Sequence, residues 1–163
     1  MIKLGAKELR KTRPKSSDIE SITKKPIYIV LDTVIDTYNI GSLFRLADAI
    51  SASGIYLCGE MEYPPSSKIH KSAVGTEEWV VWSKKDSAKE AILELKKKGV
   101  QIIAVEQNSE SLDYKQLTKD KLRFPVAVVV GNETDGISKE VLEISDLIVE
   151  LPMFGVNKSF NVW

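Results

Sequence analysis

The stretch Pro125-Val-Ala-Val-Val-Val-Gly-Asn-Glu-Thr-Asp-Gly-Ile137 sets the fold class. Residues 125–130 are apolar at every position and mostly valine, whose branched β-carbon favours extended backbone. A strand apolar on both faces needs cover on both faces, the condition met in a parallel sheet flanked by helices. The strand then meets a glycine and a run of polar residues. That junction is where an open α/β sheet binds its ligands.

Working outward, similar short runs recur at residues 26–31, 54–58, 78–82, 100–105 and 147–151, and each reads as a strand. Residues 39–50, 86–98 and 138–144 between them read as helices, with Asp86 and Ser138 as N-caps and Gly99 as the residue that ends its helix. The expected architecture is α/β, a mostly parallel sheet flanked by helices.

The chain has 163 residues, 43% hydrophobic and 28% charged, with 23 basic side chains against 23 acidic ones. A chain of this length buries enough surface for a single core without disulfides or structural metals. Its single cysteine, Cys58, lies in an apolar run and reads as a buried thiol. No apolar stretch approaches the roughly 18 residues that span a bilayer, and no signal-peptide pattern opens the chain, so a cytoplasmic protein without membrane contact is expected. The zero net charge hides an asymmetry, because residues 1–25 carry eight basic and three acidic side chains. Lys3, Lys7, Arg10, Lys11, Arg13 and Lys15 form a basic N-terminal arm, open to two readings: a solvated tail or a tracker of phosphates.

Three post-strand loops carry the chemistry. In the first, Asn39 is placed to cap the helix that follows, Leu43, Leu46, Ala47 and Ile50 make an apolar stripe, and Arg45 projects off it. That arginine either pairs with Asp36 or Asp48 or stays free for a ligand. The second, 131–137, carries Glu133 and Asp135 between two glycines but lacks the Gly-Lys-Ser/Thr of a phosphate-binding loop. It is either a polar turn or part of a site. The third, 151–161, carries Ser159 and Asn161; His70 is the sole histidine, so neither a serine–histidine hydrolase nor a metal centre is expected.

Taken together, Asn39-x-Gly41-x-x-x-Arg45, Gly131-Asn-Glu133-x-x-Gly136-Ile137 and Leu151-Pro-Met-x-Gly155-x-x-x-Ser159-x-Asn161 resemble the three motifs of the SpoU/TrmH family of RNA 2′-O-ribose methyltransferases, members of the SPOUT superfamily. The resemblance covers residues 26–163. It implies a C-terminal deep trefoil knot, S-adenosyl-L-methionine as cofactor, a homodimer with its site at the subunit interface, and an RNA substrate, transfer RNA ahead of ribosomal RNA. A non-catalytic knotted module that binds RNA or cofactor is the alternative.

Residue by residue, the resemblance implies a cofactor pocket at Val105, Gly131, Leu151, Ser159 and Phe160. It implies a catalytic set of Arg45, Asn39, Glu133, Ser159 and Asn161. Arginine is a poor base because its pKa exceeds roughly 12. The expectation is therefore that Arg45 holds the target phosphate and eases ionisation of the 2′-hydroxyl, the proton passing to a phosphate oxygen, Glu133 or water. The family continues into a C-terminal helix beyond the third motif, so residues 26–163 are expected to be the catalytic domain short of that helix. RNA capture then falls to the arm, the site face, and His70 with Lys71, which read equally as plain surface residues.

Overall fold

The computed structural model describes residues 4–9, 12–156 and 159–163. Lys3, Arg10 and Lys11 of the basic arm, and Asn157 and Lys158 of the third loop, lie outside the described residues. Seven strands form one sheet: β1 (Lys25–Asp32), β2 (Ala52–Cys58), β3 (Trp82–Lys85), β4 (Gln101–Val105), β5 (Leu112–Asp113), β6 (Val126–Val130) and β7 (Leu147–Glu150). Their order is β3-β2-β1-β6-β4-β7-β5, and every strand pairing is parallel. The helices are α1 (Ala6–Leu9), α2 (Ser16–Glu20), α3 (Thr37–Ala49), α4 (Ser67–Ala73), α5 (Ala88–Lys97) and α6 (Lys139–Ile144).

Alternation along the strands builds a core on each face. Ile29, Leu31, Ile55 and Leu57 pack with Ile40, Leu43, Phe44, Ile69 and Ala73 of α3 and α4. Val30, Tyr56, Ile102, Ala127 and Val129 pack with Ala88, Ile92, Leu95 and Val141 of α5 and α6 on the other face. Each of these side chains is nearly or fully buried, and full burial of a leucine or isoleucine is worth about 1.5–3 kcal/mol. Cys58 sits in the second core, where burial, then Asp32 and Glu90, push its thiol up to about 12.

Local chemistry moves several boundaries. Helix α3 begins two residues before Asn39, because Asp36 takes the N-cap position and accepts from the Tyr38 amide at 2.8 Å. Helix α5 is capped by Ser87, not Asp86, through the Glu90 amide, and it ends at Gly99 with φ +74°. Ser138 holds the N-cap position of α6 but makes no capping bond; its hydroxyl donates to Asp32 instead. The apolar stripe of α3 is turned toward Ile40 and Phe44, leaving Leu46 41% exposed.

The strand expected at 78–82 is a correction. Thr76–Glu78 forms one 3-10 turn, fastened by Thr76 Oγ1 to the Ala73 carbonyl at 2.8 Å. Trp79 then packs on α3 and donates its indole N–H to Asp48 at 2.7 Å, so pairing with β2 begins only at Trp82. Within the described part of the arm, Arg13 pairs with Glu78 at 2.9 Å.

Candidate active site

The carboxyl ends of β4, β6 and β7 open into a cleft of about 530 Å³. The loop after β6 doubles back tightly: Asn132 and Gly136 exchange backbone hydrogen bonds at 2.9 and 3.0 Å. A β-carbon on Gly131 would lie 2.2 Å from the Gly136 carbonyl carbon, so only glycine permits this approach. Asn132 Oδ1 accepts from the Thr134 and Asp135 amides, an Asx turn that sets the loop's shape.

Carboxylates at strand ends fix this loop to its neighbours. Glu106, just past β4, accepts from the Ile137 amide at 2.9 Å, and Asp32, last in β1, accepts from both the amide and hydroxyl of Ser138. Asn132 Nδ2 donates to the Thr33 carbonyl at 2.9 Å. That contact steadies a strained point, because Thr33 is β-branched and has φ +57°.

Glu133 joins the loop to the start of α3. One oxygen accepts from the Ile35 amide at 3.0 Å, and the other from the Asp36 amide at 3.1 Å and Asn39 Nδ2 at 2.8 Å. Burial alone would raise this carboxyl, but the donors outweigh it and hold the group below the ordinary glutamate value. Asn39 is 4% exposed, and its Oδ1 has no hydrogen-bond partner. Asn39 is thus no helix cap; it is a buried amide on the cleft wall with one acceptor unused.

The segment after β7 returns across the site. Leu151, Ser159, Phe160, Asn161 and Val162 line the cleft, Val162 packs on the core that holds Val34 and Ile40, and the Trp163 ring stands 6.5 Å from that of Tyr38. Eight of the nine expected site residues therefore meet in one cleft: Asn39, Val105, Gly131, Glu133, Leu151, Ser159, Phe160 and Asn161. Arg45 is the exception. It stands exposed on α3, away from the cleft lining, with no ion pair among the described residues, so neither Asp36 nor Asp48 holds it.

Sequence reasoning passed over Glu106, Glu150 and Asp32. All three are acidic residues at the carboxyl end of a strand, a position that would have marked them. Glu106, Glu133 and Glu150 give the cleft a carboxylate rim, and no cationic side chain joins them among the described residues. Such a rim favours a ligand carrying positive charge. His70, Glu77 and Glu78 are the one set of His and carboxylate groups within mutual reach among the described residues, and none lines the cleft.

A parallel α/β sheet with a glycine-bent loop, a carboxylate-rimmed cleft and a C-terminal segment folded back over it defines a class of nucleotide-type binding domain. The chain matches the SpoU rRNA Methylase family over residues 26–163. It belongs to that family. It is 31% identical over 140 residues to a tRNA (guanosine(18)-2′-O)-methyltransferase of Aquifex aeolicus, covering 85% of this chain and 64% of the relative. The chain spans about half to two thirds of the length of the curated relatives it matches. Among solved structures, a TrmH/SpoU tRNA modifying enzyme of A. aeolicus superposes with a TM-score of 0.76 at 29% identity, over 96% of this chain and 74% of that one. An AdoMet-bound rRNA methyltransferase from Sinorhizobium meliloti gives 0.75 at 28% identity, over 94% and 54%.

Proposed function

We propose that this protein transfers a methyl group from S-adenosyl-L-methionine to a ribose 2′-hydroxyl of RNA, with transfer RNA as the preferred substrate. The observation that carries this is the meeting of the Asn39–Glu133 pair with Gly131, Leu151, Ser159, Phe160 and Asn161 in one cleft. The residues present fit the cofactor. Val105, Val130, Leu151 and Phe160 offer apolar wall for an adenine, the carboxylate rim suits a ligand of net positive charge, and Asn39 Oδ1 is a buried acceptor awaiting a donor. The bound cofactor supplies an activated methyl group; the chain's own work is to position the oxygen and manage one proton.

Both Glu133 oxygens are engaged by donors, and the group is held ionised, which makes it a weak base. Its role is to fix Asn39 and the loop after β1. The proton therefore goes to a phosphate oxygen of the RNA or to water. Arg45 stands outside the cleft of its own chain, so it acts across the interface between two copies, where it would hold the phosphate beside the target ribose and stabilise negative charge developing on the 2′-oxygen. Ser159 and Asn161 position the ribose from the opposite wall.

We infer further that the active form is a homodimer and that the C-terminal segment completes a trefoil knot. Tyr38 and Leu46 on the helix of Arg45, with Trp163 packed beside Tyr38, are exposed apolar side chains that a second copy would cover. The return of residues 159–163 from the far side of β4 to α3 supports the knotted path. No helix is long and apolar enough to cross a membrane among the described residues, and an RNA substrate puts the work in the cytoplasm.

The test is incubation with methyl-labelled cofactor and separate transfer and ribosomal RNA fractions, followed by mapping of 2′-O-methylated nucleotides. Label in transfer RNA is the expected result. Label confined to ribosomal RNA replaces the substrate, and cofactor binding without label in any fraction replaces the enzyme by a binding module.

A further inference from the structure

At the opposite pole of the sheet from the cleft, the amino ends of β1, β6 and β4 lie side by side. Ile27 of β1 and Gln101 of β4 both pair with Val126 of β6, so the residues just before each strand share one edge. Lys24 and Lys25 open β1, Lys96, Lys97 and Lys98 precede β4, and Lys119, Lys121 and Arg123 precede β6. Lys96 is matched by Asp146 at 3.0 Å and Lys98 by Glu94 at 2.7 Å. The other six have no ion pair among the described residues, with Asp120 the acidic neighbour in the same loop.

One buried side chain shapes this edge. Gln101 is 6% exposed, yet its Oε1 accepts from the Arg123 amide at 2.7 Å and its Nε2 donates to the Lys121 carbonyl at 2.8 Å. Its own amide donates to the Pro125 carbonyl at 2.9 Å. A buried amide that uses both ends on the backbone of two residues fixes where their side chains emerge. Lys121 and Arg123 emerge exposed, and Phe124 beside them keeps 56% of its surface in solvent. Arg123 and Phe124, with Lys96, Gly99, Val100, Gln101 and Asp146, line a groove of about 450 Å³, and Lys121 stands exposed two residues before Arg123.

Free cations interleaved with an exposed aromatic ring are the chemistry that holds unpaired nucleic acid, phosphates on the charges and a base on the ring. We propose that this edge is a second RNA-contacting surface, which holds a single-stranded segment of the substrate through Lys25, Lys97, Lys121 and Arg123 with one base stacked on Phe124. This rests on the reading of the protein as an RNA-modifying enzyme. The groove lies roughly 16 Å from the cleft, the five-residue length of β4 or β6 at about 3.3 Å per residue, so it takes RNA flanking the target nucleotide. The molecule is then polarised, acidic where the cofactor enters and basic where RNA is held.

The full chain is titrated with a fluorescent 12-nucleotide oligouridine across a salt series. Replacing Lys121 and Arg123 together by alanine is expected to weaken binding about tenfold or more at low salt and to flatten the log–log salt slope by about 1.4, since each single-strand phosphate contact contributes about 0.7. Phe124→Ala is expected to weaken binding roughly 5- to 150-fold with the slope unchanged, the value of one lost base stack. All three side chains are exposed, so melting curves of the variants should match the parent. Unchanged affinity and slope in both variants overturn the proposal even if the parent methylates RNA. Loss in the double variant with none in Phe124→Ala overturns the stacked base. Absence of methylation by a parent that still binds the oligonucleotide through these residues instead overturns the enzymatic reading and leaves the surface standing.

Discussion

Asn39 Nδ2 donates to Glu133 Oε1 at 2.8 Å, joining the first turn of α3 to the loop after β6, 94 residues apart in sequence. The same carboxylate receives two backbone amides from the loop between β1 and α3. It therefore acts as a clasp that turns two separate post-strand loops into one wall of the cleft.

Glu133→Gln keeps the size of the side chain but turns one acceptor into a donor facing amide N–H groups. The variant should lose about 1–3 kcal/mol of stability, read as a lower urea midpoint, and should methylate RNA far more slowly than the parent.

The clasp also carries a pH signature. Its carboxyl is held below the ordinary value in the folded protein, so it stabilises the fold at neutral pH, and this contribution fades as pH drops below the unfolded value of about 4.3. The difference in urea midpoint between parent and Glu133→Gln should stay constant from pH 7 to about 5 and narrow progressively as pH falls below about 4.3. A difference that does not narrow at all between pH 5 and pH 3 would refute the assignment.

Asn39→Asp puts a second carboxylate against Glu133 in a site that is almost fully buried. Repulsion between two desolvated like charges should cost roughly 2–4 kcal/mol, more than Asn39→Ala costs. Thermal melts of the two variants at neutral pH check the ranking.

Gly131→Ala forces a β-carbon within 2.2 Å of the Gly136 backbone. The loop must open, at a cost of roughly 1–3 kcal/mol. Cofactor affinity measured calorimetrically should fall about tenfold or more, because Gly131 is part of the pocket wall.

Arg45→Lys leaves stability untouched, since Arg45 is exposed and carries no ion pair among the described residues. Methyl transfer should drop at least about tenfold, because an ammonium cannot reproduce a forked hold on phosphate. Near-full turnover with unchanged RNA affinity would remove Arg45 from the mechanism.

The valine-rich run of β6 and the apolar strands beside it were legible because burial on both faces leaves an unbroken apolar pattern. Residues 79–81 carry the same pattern for a different reason: Trp79 covers α3 and bonds Asp48, so apolar character there marks packing against a helix. Asn39 reads as a cap because asparagine suits that position, and only the fold reveals Asp36, three residues earlier, at the N-cap and Glu133 within reach. Asp32 and Glu106 bond backbone amides of distant segments, and such partners leave no local trace in a sequence.

Because residues 159–162 supply one side of the cleft and residues 39, 105 and 131–133 the others, no ligand can be enclosed until the carboxyl-terminal segment has docked. A ligand in the cleft consequently stabilises the docked segment by mass action, in proportion to the logarithm of its concentration over its dissociation constant. Occupancy of the pocket and docking of residues 159–162 are thus coupled, and a cell short of the ligand would hold this protein with that segment less firmly secured.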